Sequence, residues 1–84
     1  MNTNQLRQLF SDSGNDTILE MNDVVELGQH VKIDTKIDKS TLDYYYSIDI
    51  MTLAKSGISD DMIYDMINKG WTLNKSKTEI VKYC

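Results

Sequence analysis

Two adjacent stretches in which apolar and polar residues alternate constrain the fold of this chain more than any other feature. The first is HVKIDTKID (residues 30–38) and the second is TLDYYYSIDI (residues 41–50). A period of two places every second side chain on the same face of a sheet, which is typical of half-buried β-strands. The sequence therefore predicts an antiparallel hairpin with strands at 30–38 and 42–50.

A turn at Lys39 and Ser40 would give this hairpin a register in which the apolar residues of both strands share one face. The predicted opposite pairs are Ile37 with Leu42, Thr35 with Tyr44, Ile33 with Tyr46, and Val31 with Ile48. On the other face, Lys36 would lie opposite Asp43 as a favourable cross-strand charge pair. Lys-Ser is not a favoured two-residue turn, so a longer connection is left open.

A short helix is predicted at the beginning of the chain. Thr3 is a candidate N-cap, and the apolar side chains that follow recur with helical spacing. SDSGND (residues 11–16) is rich in turn-forming residues and would end this helix. The apolar side of the helix consists of Leu6, Leu9 and Phe10.

Residues 17–27 fit two structures. Read as a helix, they begin with a capping box at Thr17 and Glu20 and end at Gly28. Read as strands, TILEM and VVEL flank a turn at residues 22 and 23. We favour the helix because both of its ends carry helix signals.

Residues 59–69 give the clearest helix signal of the chain. Ser59 is a good N-cap, and the two aspartates after it lie where the helix dipole favours acidic side chains. Gly70 would end the helix, and Trp71 could then fold back on Met66. The stripe that we expect to be buried is Met62, Ile63, Met66 and Ile67.

A second, smaller hairpin is predicted after this helix. WTLN (residues 71–74) and TEIVKY (residues 78–83) flank the polar segment KSK. Its register is left open, because Ile80 and Val81 are adjacent and either could point into the core.

The residues Gly57-Ile58-Ser59, followed by Ile63, resemble the turn and second helix of repressor-type helix-turn-helix units. Ala54 stands three residues before Gly57, where that pattern has four, so the preceding helix would pack out of phase. The helix that would enter the major groove begins with Asp60 and Asp61, which phosphates on both sides would repel. We therefore expect a capped surface helix here and no reading of DNA.

Together these segments predict a small, single α+β domain over residues 1–84, with antiparallel hairpins packed against short helices. The chain is long enough for one modest core. The residues expected in that core are Leu6, Phe10, Val31, Ile33, Ile37, Leu42, Tyr44, Tyr46, Ile48, Ile50, Ile63, Met66, Ile67 and Trp71.

Few residues suited to catalysis or metal binding are present. The chain has one histidine, His30, which we expect to be a half-exposed strand residue, and one cysteine, Cys84. These numbers exclude the usual zinc quartets and disfavour a Cys–His nucleophilic pair. Residues 12–16 lack the residue order of a calcium loop, and the glycines lie at element boundaries rather than in a phosphate loop. We expect no enzymatic activity and no cofactor.

Charge is distributed unevenly along the chain. Acidic residues outnumber basic ones over residues 1–68, whereas residues 69–84 hold four lysines and one glutamate. We therefore predict a non-catalytic protein-binding module, a factor of a phage or mobile element that inhibits or modulates a host protein through an acidic face. The expected contact residues are Asp60, Asp61, Tyr64 and Asp65, with Asp34 and Tyr45 on the outer face of the hairpin as the second choice.

The basic end of the chain predicts an alternative function, which is weak binding of RNA or single-stranded DNA. The residues expected to carry it are Lys69, Lys75, Lys77 and Lys82. Trp71 is not counted among them, because a tryptophan after a helix end usually seals the core.

A homodimer is a further expectation, since a second copy could complete the sheet at the edge of the first hairpin. The sequence shows no signal peptide and no apolar run long enough to span a membrane. We accordingly expect a cytoplasmic protein with no membrane partner.

Overall fold

The computed structural model describes residues 1–11 and 21–83 of the chain. It confirms an α+β architecture. The helices are α1 (Thr3–Ser11), α2 (Met21–Gly28), α3 (Ile50–Lys55) and α4 (Asp60–Asn68), and the strands are β1 (Asp34–Ile37), β2 (Tyr44–Asp49), β3 (Thr72–Leu73) and β4 (Glu79–Tyr83).

The strands form one antiparallel sheet in the order β1-β2-β4-β3. Ile48 of β2 lies opposite Ile80 of β4, and both are fully buried in the core that the helices cover. The opposite, outer face of the sheet carries the alternate residues of the same strands, such as Tyr45 and Tyr83. Strand β4 is therefore central although it comes last in the sequence, and β1 and β3 form the two edges of the described sheet.

The first hairpin is confirmed, but its predicted register was wrong by two residues. Ile37 lies opposite Tyr44 and Lys36 lies opposite Tyr45, not Asp43. The connection is longer than Lys39-Ser40, because the Asp38 carboxylate accepts hydrogen bonds from the Ser40 N–H (2.9 Å) and hydroxyl (2.7 Å) and so forms its own turn. A shift of two residues keeps every side chain on its predicted face.

The ends of the two strands also differ from the prediction. Strand β1 begins only at Asp34, so Val31 and Ile33 precede it, although Val31 is buried. Residue Ile50 is the first residue of α3 rather than the end of a strand. Asp49 starts this helix as its N-cap, since its carboxylate accepts a hydrogen bond from the Thr52 N–H at 3.0 Å.

The helix predicted at the beginning of the chain is confirmed, but its cap is Asn2 rather than Thr3. The Asn2 side-chain oxygen accepts from the Gln5 N–H, and the Gln5 side chain accepts from the Asn2 N–H, each at 2.9 Å. This reciprocal pair satisfies two backbone donors at the end of α1. Helix α2 confirms the helical interpretation over its described part, Met21–Gly28. The proposed capping box at Thr17 and the segment 12–16 lie outside the described residues.

Helix α4 is confirmed with its caps. The Ser59 hydroxyl accepts from the Met62 N–H at 3.3 Å. Gly70 takes a positive φ of 93°, and the Trp71 N–H then donates to the Met66 carbonyl at 3.1 Å. These bonds turn the chain back on the helix, as predicted, and bring Trp71 into the core at 2% exposure.

Most of the predicted core is buried or half-buried, with three exceptions. Ile37, Leu42 and Tyr44 are 51%, 76% and 57% exposed, because they lie at the connected end of the first hairpin, away from the helices. The second hairpin is confirmed, and both Ile80 and Val81 are buried, one on each face of the central strand β4. The buried hydrophobic residues that were missing from the predicted core are Leu27, Leu53, Ile80 and Val81.

Candidate functional site: a groove between α2 and α4

The predicted acidic face lies on α4. Asp60 and Asp61 occupy its first turn because Ser59 caps the helix there, and both are exposed. Tyr64 is half exposed, and the Asp65 carboxylate lies 2.9 Å from the Lys69 ammonium one turn later. Helical spacing therefore brings these four predicted residues together on one exposed element.

A groove with a volume of about 320 Å³ opens between α2 and α4. Its apolar surface comes from Leu27, Met62, Met66 and Trp71. Charged residues of both helices also line it, and these are Glu26, Asp61, Asp65 and Lys69. The groove thus combines buried apolar side chains with three carboxylates and one ammonium group, and two of those carboxylates belong to the predicted acidic face.

Sequence reasoning identified Asp61 and Asp65 but missed the contribution of α2. Glu26 and Leu27 lie one after the other, the first exposed and the second buried at 5% exposure. The available signal was the helical interpretation of residues 17–27, which puts Leu27 three residues after Val24 on an apolar side. It could not show that this side faces α4.

The second-choice residues Asp34 and Tyr45 lie elsewhere. Both point to the outer face of the sheet, as predicted, because Asp34 pairs with Ser47 and Tyr45 pairs with Lys36 in an antiparallel ladder. Asp34 is exposed and Tyr45 is half-buried. The structure therefore divides the six predicted contact residues between α4 and the outer face of the sheet.

A polar cluster on this outer face was not predicted. The Glu79 carboxylate forms an ion pair with Lys36, accepts a hydrogen bond from the fully buried Ser47 hydroxyl at 2.8 Å, and accepts another from the Asn74 amide at 3.2 Å. The hydrogen bonds from Lys36 and Ser47 hold the pKa of Glu79 below its ordinary value. The same hydrogen bond from Lys36 to Glu79 raises the pKa of the Lys36 ammonium.

Aromatic side chains lie beside this cluster. The rings of Tyr45 and Tyr83 are tilted by 31° with their centroids 5.0 Å apart. Burial, followed by the negative charge of Asp38, raises the pKa of the Tyr83 hydroxyl. The two rings line a concavity of about 490 Å³ on the outer face, whose wall also includes Lys75.

The four lysines of the alternative prediction are in different environments. Lys82 is buried at 8% exposure, and Lys69 pairs with Asp65. Lys75 and Lys77 are exposed in the connection between β3 and β4. Trp71 is in the core, as expected, and its 2% exposure is too small for a nucleic-acid base to stack on its ring. Of the four lysines, Lys75 and Lys77 are therefore the ones exposed enough to meet a nucleic acid.

Catalytic and metal-binding constellations are sparse among the described residues. His30 is exposed in the turn after α2 rather than in a strand. Within residues 1–11 and 21–83, no group of three or more His, Cys, Asp and Glu side chains could hold a metal ion. In the same part of the chain, no helix has the length and apolar character needed to cross a membrane. Cys84 lies outside the described residues.

Comparisons with protein-family models, curated proteins and solved structures gave no match. The function of this chain is therefore proposed from the geometry described above.

Proposed function

We propose that this protein is a non-catalytic binding module that holds a basic segment of another protein in the groove between α2 and α4. The observation that carries the proposal is the composition of that groove, in which Leu27, Met66 and Trp71 lie beside Glu26, Asp61 and Asp65. An apolar surface with carboxylates around it suits a lysine or arginine next to an aliphatic or aromatic side chain. The aliphatic stem of such a cation packs on the apolar surface while its charged end reaches a carboxylate.

The charge of the body supports the same partner. Residues 1–68 carry twelve acidic and five basic residues, so the potential around α4 attracts a basic surface from a distance. Such attraction raises the rate of association more than it raises affinity, and salt weakens it. A small acidic protein inhibits such a target by occupying the basic surface with which the target binds nucleic acid. In this proposal the chain is a phage or mobile-element factor that modulates a host protein.

Selection from a random peptide library tests the proposal directly, because the library samples every short sequence that the groove could hold. We expect selected peptides to contain lysine or arginine within one or two residues of an apolar side chain. The double substitution Asp61→Asn, Asp65→Asn should weaken their binding by about tenfold, because two carboxylates that line the groove are lost. Titration by isothermal calorimetry at two salt concentrations gives the affinities.

The matched control is Asp43→Lys, which changes net charge by the same two units at an exposed position of the first hairpin. It should leave peptide affinity within about twofold of wild type, since only long-range attraction is reduced. Thermal unfolding of both variants checks that the fold is retained, because neutralising Asp61 also costs α4 about 0.3–1 kcal/mol of dipole stabilisation. Selected peptides without basic residues, or equal losses of affinity in the double variant and in Asp43→Lys, would contradict binding in the groove.

A second candidate function is weak binding of single-stranded nucleic acid on the outer face of the sheet. The observation that favours it is the concavity in which the Tyr45 and Tyr83 rings lie near Lys75, since stacking and charge together suffice for such binding. Titration of a labelled ten-nucleotide thymidine oligomer should show an affinity that falls steeply with salt. The substitution Lys75→Glu, Lys77→Glu should abolish it, whereas Lys55→Glu on α3 should not. Absence of binding at low salt would remove this candidate.

A further inference from the structure

Strand β1 lies at an edge of the described sheet, and the sequence around it is complementary to itself. Residues 32–38 read KIDTKID. When this segment is written antiparallel to a second copy with Thr35 opposite Thr35, Lys32 falls opposite Asp38, Ile33 opposite Ile37, and Asp34 opposite Lys36. Every charged residue then faces an opposite charge, and every isoleucine faces an isoleucine.

The backbone of β1 is oriented for the same alignment. The Asp38 N–H donates to the Asp43 carbonyl at 2.8 Å, in the register that pairs β1 with β2. Because hydrogen-bonded and non-hydrogen-bonded pairs alternate in an antiparallel ladder, Asp34 and Lys36 also direct their backbone groups towards β2. Ile33, Thr35 and Ile37 therefore direct their N–H and C=O groups away from β2, towards the edge of the described sheet.

We propose that two copies of this chain associate by antiparallel pairing of their β1 strands about a two-fold axis at Thr35, which joins their sheets into one continuous sheet. Thr35 then exchanges two backbone hydrogen bonds with Thr35 of the second copy. Ile33 and Ile37 do the same with each other across the interface. The alignment that pairs opposite charges is thus also one that pairs the backbone groups that face away from β2.

Charge selects this register among those with the same backbone geometry. A slip of two residues in one direction places Lys36 opposite Lys36 and Asp34 opposite Asp38. A slip in the other direction places Asp34 opposite Asp34 and Lys32 opposite Lys36. Like charges directly opposite each other destabilise a strand pair. Lysine on an edge strand usually prevents such pairing, but here each lysine has an aspartate opposite it.

The side chains of the exposed hairpin support the same interface. Ile37 is 51% exposed on the face that carries the helices, and Ile33 is half-buried on the same side. Pairing places Ile37 of one copy beside Ile33 of the other, which removes apolar surface from water. On the outer face, the Lys36 ammonium has three donors, so it can keep Glu79 and also reach Asp34 of the second copy.

The test measures association by sedimentation equilibrium across a range of concentrations, with reducing agent present to prevent disulfides through Cys84. Wild-type protein should show a reversible equilibrium between monomer and dimer. Asp34→Lys places lysine opposite Lys36 at two symmetric positions and should raise the dissociation constant about tenfold or more. Lys36→Asp should do the same, with aspartates facing each other. An equimolar mixture of these two variants should form a heterodimer, because each lysine of one faces an aspartate of the other.

Two further variants test the proposal if Lys36→Asp unfolds because its ion pair with Glu79 is lost. Thr35→Pro removes an N–H that faces the open edge and is tolerated on edge strands, so it should abolish the dimer without loss of the circular dichroism signal. Asp43→Lys, with the same charge change off the edge, should dimerise as wild type does. A wild-type protein that stays monomeric at high micromolar concentration would overturn the proposal. So would a dimer that survives Thr35→Pro, since another surface would then form it.

Discussion

Replacing Trp71 by alanine is expected to lower the free energy of unfolding by about 3–5 kcal/mol, the usual cost of removing a large aromatic side chain from a core. Trp71 is 2% exposed, and the bend of the chain at Gly70 holds it against the end of α4. A small domain has a total stability of about 5–15 kcal/mol, so a large share of it would be lost. Urea denaturation followed by circular dichroism measures the change, since the variant lacks the chain's single tryptophan.

Two other substitutions test whether this loss of stability comes from removing a buried aromatic ring. Trp71→Phe should cost less, because a phenyl ring fills part of the same space. Tyr64→Ala removes an aromatic ring that is 50% exposed and should change stability by no more than about 0.5 kcal/mol. Equal effects at Trp71 and Tyr64 would mean that Trp71 does not seal the core. Trp71 also lines the groove, so Trp71→Phe should weaken binding of the selected peptides even though the chain stays folded.

Replacing Glu79 by alanine is expected to lower the free energy of unfolding by about 1–3 kcal/mol, because it leaves a buried hydroxyl and a half-buried amide without their acceptor. The Ser47 hydroxyl is fully buried and donates to Glu79, and Asn74 donates to the other carboxylate oxygen. Glu79→Gln should cost less, because the amide oxygen can still accept from Ser47. The measurement is again urea denaturation at neutral pH, with Asp43→Asn as an exposed control that should change little.

The dependence on pH separates the charge of Glu79 from its shape. The pKa of Glu79 is lower in the folded chain than its ordinary value of 4.5, so its contribution is fully present above that pH. It is then lost as the pH falls through the folded pKa. Wild type should therefore lose more stability below about pH 4.5 than Glu79→Gln does. Hydrogen bonds from Ser40 also lower the pKa of Asp38. Asp38 is present in both proteins, so its effect on stability cancels in the difference between them. Equal losses of stability at low pH in wild type and Glu79→Gln would show that the carboxylate charge does not contribute to stability.

The sequence predicted the type of most elements because their signals are local. Period-two alternation predicted the first hairpin, and the cap at Ser59 with the bend at Gly70 predicted α4. The register failed because Asp38 forms its own turn, which two-residue turn preferences do not describe. Helix α3 was missed because Ile50 continues the strand alternation, while the cap that ends the strand is a single aspartate.

The candidate site was predicted only in part, for a related reason. The carboxylates of α4 follow from helical spacing, since they occur within one element. The groove exists only where α2 lies against α4, and no local pattern in the sequence tells which helices will be neighbours. The Glu79 cluster likewise joins residues from three strands, and sequence reasoning assigned its lysine to Asp43 instead.

The position of β4 between β2 and β3 also determines the order in which the chain can fold. Each hairpin joins segments that are close in sequence, so β1–β2 and β3–β4 can form quickly and independently. The pairing of β2 with β4 must first close the connection made by residues 50–78, which carries α3 and α4. Contacts between segments so far apart set the folding rate of small domains. We therefore expect the joining of the two hairpins to be the slow step, and until it occurs the edges of both hairpins can pair with other chains.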